Sequence, residues 1–279
     1  MTTDSEWGGE QLDLDAYLAR IGYTGDRRPT PETLRGLHAA HSAALGFENL
    51  DVVLGRPIPL DVAALQAKMV RQRRGGYCYE QNLLYAAALE RLGFRVFGLC
   101  ARTRMGERRL RPATHALLRV VLDGEDWITD VGFGGEGLLG PLPLRDGVEA
   151  QQGGWTFGLV HEEGGSGDAA WVLRTRHEDG WFDVYAFGTE RRFTADYAVF
   201  NHYISTHPRS PFTGQMVVQR PLPELRSTLI GRELTRTRPD SSREVREVAA
   251  EELPTLLDAE FGITLSAPDA EALVALHTE

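Results

Sequence analysis

Apolar side chains recur at helical spacing through the first third of the chain and change to alternation near Phe94, which divides the sequence into a helical part and a stranded part. Leu14, Tyr17, Leu18 and Ile21 fall on one helical face behind Asp13, and Thr30-Pro31 reads as the cap and first turn of a helix carrying Leu34, Leu37 and Leu45. Asp61 supplies a cap for a third helix, with Val62, Leu65 and Met69 on one face. A fourth stretch runs from Cys78 to Leu92 and is closed by Gly93.

From there Phe94, Val96, Gly98 and Cys100 alternate against Arg95, Phe97 and Leu99, the period of a strand. Thr114 to Leu122 and Trp127 to Gly134 flank Asp123-Gly124-Glu125-Asp126, whose Asp-Gly pair predicts a hairpin. Trp171 to Arg176 and Trp181 to Phe187 flank Glu178-Asp179-Gly180, a second hairpin signal, and Glu162 to Asp168 reads as a surface loop. Beyond Gly214 come short strand-like runs and then helices around Glu251 to Phe261 and Pro268 to His277. No internal repeat or long linker interrupts this order, and the reading is an α+β fold.

Register decides what the first hairpin brings together. A loop with an even number of residues places Asp130 opposite Leu117 or Arg119, on the face that carries His115. Ala116, Leu118, Val120, Leu122, Trp127, Val131 and Phe133 then collect on the other face, an apolar core surface. A two-residue turn makes His115 and Asp130 diagonal neighbours, roughly 7–8 Å apart between backbone positions and within side-chain reach.

Cys78 follows the glycine turn Arg74-Gly75-Gly76-Tyr77 and opens the predicted helix, where free amides and the positive end of the helix dipole favour an anion. Arg74 is placed to add to that field. Taken singly, a cysteine is usually a small buried hydrophobe, a strand-end histidine is structural, and an aspartate after a strand is a turn carboxylate. Taken together, the three supply the roles of nucleophilic acyl transfer: Cys78 attacks, His115 moves the proton, and Asp130 orients the imidazole and stabilises its charged form.

Five segments, in order and spacing, resemble the arylamine N-acetyltransferases: Phe47-Glu48-Asn49-Leu50, Arg74 to Asn82, Thr114-His115, Asp130 to Gly135, and Ser205 to Phe212. The likeness runs from about Leu12 to at least Phe212 and is looser beyond. The resemblance implies a Cys78-His115-Asp130 triad on a papain-like cysteine-protease core. It further implies acetyl-coenzyme A as co-substrate, no permanently bound cofactor, and an arylamine or hydrazine as acceptor. The expected layout is a helical domain over 1–93 carrying the cysteine, a central antiparallel β-barrel-like domain over 94–205 carrying the histidine and aspartate, and an α/β lid over 206–279. By the same resemblance Tyr77, Phe133 and Phe212 line the acceptor pocket, and Thr114, Gly134 and Gly135 lie along the coenzyme channel. An amide synthase that closes a polyketide macrolactam shares this triad and fold; the likeness through Ser205 to Phe212 favours acetyl transfer. Hydrolysis and a non-enzymatic binding protein are the competitors from other classes.

Bulk properties narrow the choice further. Across 279 residues the formal charge is -10, which argues against a general nucleic-acid binder. Only Arg102 to Arg111 is locally basic, a solvated loop or a contact for the phosphates of an anionic donor. Two cysteines, Cys78 and Cys100, make neither a disulfide framework nor a structural zinc motif. The first residues lack the features of a secretory signal and no apolar run approaches membrane length, so a reducing cytoplasm is expected. Homo-oligomer formation is left open.

Two motifs read as decoys. Gly132-Phe133-Gly134-Gly135-Glu136-Gly137 fits the dinucleotide fingerprint, but Gly140-Pro141-Leu142-Pro143 denies it the helix that would meet a pyrophosphate; the glycines are expected to let a ligand near the backbone. His38 and His41, three apart on a partly exposed helix, lack further metal ligands. Glu48 and Arg74 are expected to form a buried ion pair bracing the glycine turn.

Overall fold

The computed structural model describes residues 5–107, 109–163 and 170–278, so the expected loop over 162–168 lies outside them from residue 164 on. Asp13 accepts the Ala16 N–H and starts Leu14–Ile21, and Gly22 ends it at φ 69°. Thr30 caps Pro31–Ala44 through the Thr33 N–H. Asp61 caps Val62–Leu65, but the expected third helix then widens into the π-helical stretch Gln66–Arg71. The helix Cys78–Arg91 runs through the middle of the molecule and is buried at every residue from Cys78 to Leu89. A helix covered on all sides has no solvent face, which is why its pattern is nearly continuous rather than one-sided.

Eight antiparallel strands, from Arg95–Thr103 to Gly180–Phe187, curl into a nearly closed barrel-like sheet. Arg95–Thr103 pairs with Ala113–Leu122 on one side and Gly180–Phe187 on the other. Leu99, Leu117, Ile128, Phe157, Leu159 and Leu173 fill the barrel. A second sheet joins Phe47–Glu48, from the helical third, to Val217–Leu222 and the three strands that follow it. Leu253–Phe261 and Ala267–Thr278 contribute to its core. Thr194–Thr206 is a helix that periodicity did not predict, lying within the span 94–205 expected as the β domain but for its last residue. Its β-branched and aromatic residues favour strand, yet Tyr197, Asn201 and Ile204 recur at helical spacing and are the ones buried.

The turn Asp123-Gly124 contains two residues, with φ of 51° and 83°, as a hairpin of that length requires. Leu122 faces Glu125 and Leu118 faces Thr129, so continuing the register sets Asp130 opposite Leu117. The apolar face of this hairpin, from Ala116 to Trp127 and Val131, packs into the main core. Phe133 does not belong to it and packs against the barrel core instead. The strand ends at Thr129, and beyond its last pair alternation no longer assigns faces. Among the described residues no helix is long and apolar enough to cross a membrane.

Candidate active site

The helix carrying Cys78 and the hairpin carrying His115 and Asp130 meet at one end of the barrel. Cys78 is the first residue of its helix, and the Glu80 carboxylate accepts the Tyr77 N–H at 3.1 Å to close the first turn. Gly132 lets the two elements touch: a Cβ there would stand 2.9 Å from Cys78 Cα and 2.7 Å from Asn82 Nδ2. His115 Nε2 bonds Asp130 Oδ2 at 2.6 Å, which leaves Nδ1 for the Cys78 side chain that the imidazole also contacts. All three side chains are buried, and Cys78 and His115 form part of the wall of a cavity of about 720 Å³.

Electrostatics fix the charges of this group. Burial alone would push the imidazole down, but the Asp130 charge and hydrogen bond, with the Cys78 contact, outweigh it and raise His115 from 6.5 to about 10. Burial likewise works against the Asp130 carboxylate, yet His115, Asn82 Nδ2 at 3.0 Å and the Gly132 N–H at 3.0 Å hold it below the usual range. Asn82 completes the arrangement by donating to Ala116 O at 2.8 Å and accepting the Val131 N–H at 3.3 Å. Sequence reasoning missed Asn82, although its place one helical turn after Cys78 on the same face was a signal.

Phe133 and Phe212 line the cavity, and Phe133 meets the His115 ring edge-on at 4.9 Å. Tyr77 does not line it. Successive residues at a helix start project to different sides, so with Cys78 facing the cavity Tyr77 turns inward, edge-on behind Phe212 at 6.1 Å, its hydroxyl bonded to Asn201. Phe47, unassigned from the sequence, takes a place in the wall. Thr114 and Gly135 also line the cavity, while Gly134, at φ 88°, packs against Gln219, where a Cβ would stand 2.1 Å from Oε1. The close approaches at Gly132 and Gly134 are thus to the protein's own chain. Within the basic run, Arg109 and Arg111 face the cavity, whereas Arg104 is paired with Asp183 and Glu162.

Arg74 is held in a buried charge cluster. Its Nε and Nη2 meet both Glu48 oxygens at 2.8 and 2.9 Å, and Glu48 also accepts the N–H groups of Gly75 and Leu50. Lys68, missed from the sequence, bridges Asp51 and Glu80 at 2.7 Å each. Burial would raise Glu48, but Lys68 and Arg74 bring it down to about 2, and on Glu80 burial prevails and raises it. Removing one charge strands its partners, so Lys68→Met is expected to cost about 3–5 kcal/mol, read as a lower urea midpoint at unchanged slope.

His38 and His41 are fully buried rather than partly exposed. His38 bonds Thr129 at 2.8 Å and Leu138 O at 3.0 Å; His41 bonds Tyr17 and Gln81 at 2.7 Å each. Burial pushes them down to about 4 and about 3, so both are neutral struts. Among the described residues no group of His, Cys, Asp or Glu is arranged to hold a metal ion.

An N-acetyltransferase family model matches residues 30–270. A Salmonella typhimurium protein described as an arylamine N-acetyltransferase / N-hydroxyarylamine O-acetyltransferase is 36% identical over 90% of this chain and 88% of its own. The solved Nocardia farcinica arylamine N-acetyltransferase superposes with a TM-score of 0.93 at 48% identity, covering 99% of this chain and 98% of that one. The Mycobacterium marinum arylamine N-acetyltransferase, solved in complex with CoA, does so with a TM-score of 0.85 at 34% identity, over 94% and 98%.

Proposed function

Because the chain belongs to the arylamine N-acetyltransferase family, and is thereby an acetyl-CoA-dependent acyltransferase, we propose that it acts through an acetyl-cysteine on Cys78 in two half-reactions. Cys78 Sγ, its proton taken by His115, attacks the acetyl thioester. Backbone amides at the helix start hold the oxyanion, and coenzyme A leaves as its thiol with a proton from His115. An amine then attacks the acetyl-cysteine, His115 takes the amine's proton, and the amide leaves as the Cys78 sulfur is released. Asp130 keeps the ring aligned and balances its charge throughout. An aromatic amine is neutral at pH 7 and keeps its nucleophilic lone pair, and Phe133, Phe212 and Phe47 offer rings to receive it. Arg109 and Arg111, with Thr114 and Gly135, form the stretch we assign to the donor's phosphates and pantetheine.

The observation that carries this reading is the Cys78, His115, Asp130 line opening on an aromatic-walled cavity. A thiol at a helix start against an imidazole on a strand, with a carboxylate one residue past the neighbouring strand, fits a papain-like core in which aspartate takes the third place, and we read the layout as 1–93, 94–205 and 206–279. Acetyl-, propionyl- and malonyl-coenzyme A tried against anilines and hydrazines test it by intact mass. A single acetyl adduct that disappears as amide forms is expected, and free acetate as the sole product would replace transfer with hydrolysis.

A further inference from the structure

Phe212 enters the cavity wall from the segment that joins the helix Thr194–Thr206 to the strand Val217–Leu222. That segment is gripped by one buried amide. Asn49 Nδ2 donates to Phe212 O at 2.9 Å and to Gln215 O at 2.8 Å, while Oδ1 accepts the Val217 N–H at 2.7 Å. Only a carboxamide offers two donors and an acceptor on one short planar group; aspartate lacks the donors and glutamine adds a methylene.

The same run of chain holds the turn before Cys78. Glu48 N–H donates to Gly76 O at 3.1 Å, Gly76 N–H donates to Gly46 O at 3.3 Å, and Phe47 pairs with both Gly76 and Gln219. Phe47 and Phe212 lie 5.7 Å apart and line the cavity together. Residues 46–49 therefore touch the turn that positions the sulfur on one side and the aromatic wall on the other.

We propose that Asn49 is a positioning residue for the acceptor half-reaction, fixing the Phe212 wall against the turn that carries Cys78 without itself meeting substrate. The inference deepens the acyl-transfer reading and rests on it. Its consequence is selective: an aromatic acceptor feels the wall, whereas hydrazine, which has no ring, and the loading of Cys78 by acetyl-coenzyme A do not.

A double-mutant cycle between Asn49→Asp and Phe212→Ala tests this with 4-methylaniline and hydrazine as acceptors, alongside the rate of acetyl loading by intact mass. Each single variant is expected to raise the KM for 4-methylaniline about tenfold, with the double variant no worse than the weaker single one. In Asn49→Asp, loading and hydrazine turnover are expected to stay within about twofold of the parent. Multiplying effects in the cycle, or equal losses in all three rates, would overturn the assignment and leave Asn49 a general structural residue. Asn49→Ser serves if the aspartate variant does not fold. Should the parent protein itself fail to load acetyl, the acyl-transfer reading falls, and hydrogen exchange at the Val217 amide in Asn49→Ala, which removes the acceptor, decides the clamp alone: it quickens if the clamp exists and is unchanged if it does not.

Discussion

Cys78→Ala is expected to gain no acetyl mass on mixing with acetyl-coenzyme A and to lose kcat/KM by a factor on the order of 10⁴ or more. The reason is chemical: covalent transfer splits one difficult displacement into two easier ones, and without the sulfur there is no intermediate to carry the acyl group. Cys100→Ala is the control. It lies in the strand Arg95–Thr103 opposite Ala116, and burial pushes its thiol up to about 12, which leaves it protonated and inert at neutral pH. Loading of the Cys100 variant at the parental rate is expected. Full loading of the Cys78 variant would remove that residue from the reaction.

Asp130→Asn carries the second large effect, a loss of about 10³–10⁴-fold in kcat, because the imidazole loses the charge that balances its protonated form. Burial opposes that form, and Asp130 is the main reason His115 stands at about 10 instead of below 6.5. In the asparagine variant the ring is expected to titrate far lower, at or below its ordinary value, a change that nitrogen NMR of the imidazole reads directly. The sign carries over to stability. In the parent the stabilisation that comes from holding the proton on His115 is in place at pH 6.5 and is lost as the pH rises through about 10. Urea midpoints measured from pH 6.5 to 10 should therefore fall in the parent and lose that decline in the variant. An unchanged His115 titration in Asp130→Asn would show that some other group holds the proton.

How much of this was legible beforehand depends on the kind of contact. The hairpin could be read through to its register because an Asp-Gly turn and one alternating apolar face constrain each other, and a slip of one residue would bury the charges. The helix opening at Cys78 was legible from the glycine turn before it and Gly93 after it. Thr194–Thr206 was not, because local preference for strand concealed a weak stripe that only packing against the main core rewards. Arg74 meets Glu48, the ion pair expected from the sequence, whereas its contact with Asp51 and the part played by Lys68 were not legible, since a buried cation goes wherever the fold brings carboxylates to meet it.

By itself, then, the sequence determined the helices up to Gly93 and the hairpin strands after it, and that a thiol, an imidazole and a carboxylate are carried at their ends, since spacing and turn chemistry act over a few residues. The tertiary structure alone decided which rings form the cavity wall, that Tyr77 stands behind it and Phe47 in it, and that Asn82, Lys68 and Asn49 hold the parts in place. Those contacts join residues far apart along the chain. Periodicity tells a residue which face it lies on, and only the packed fold tells it what that face will meet.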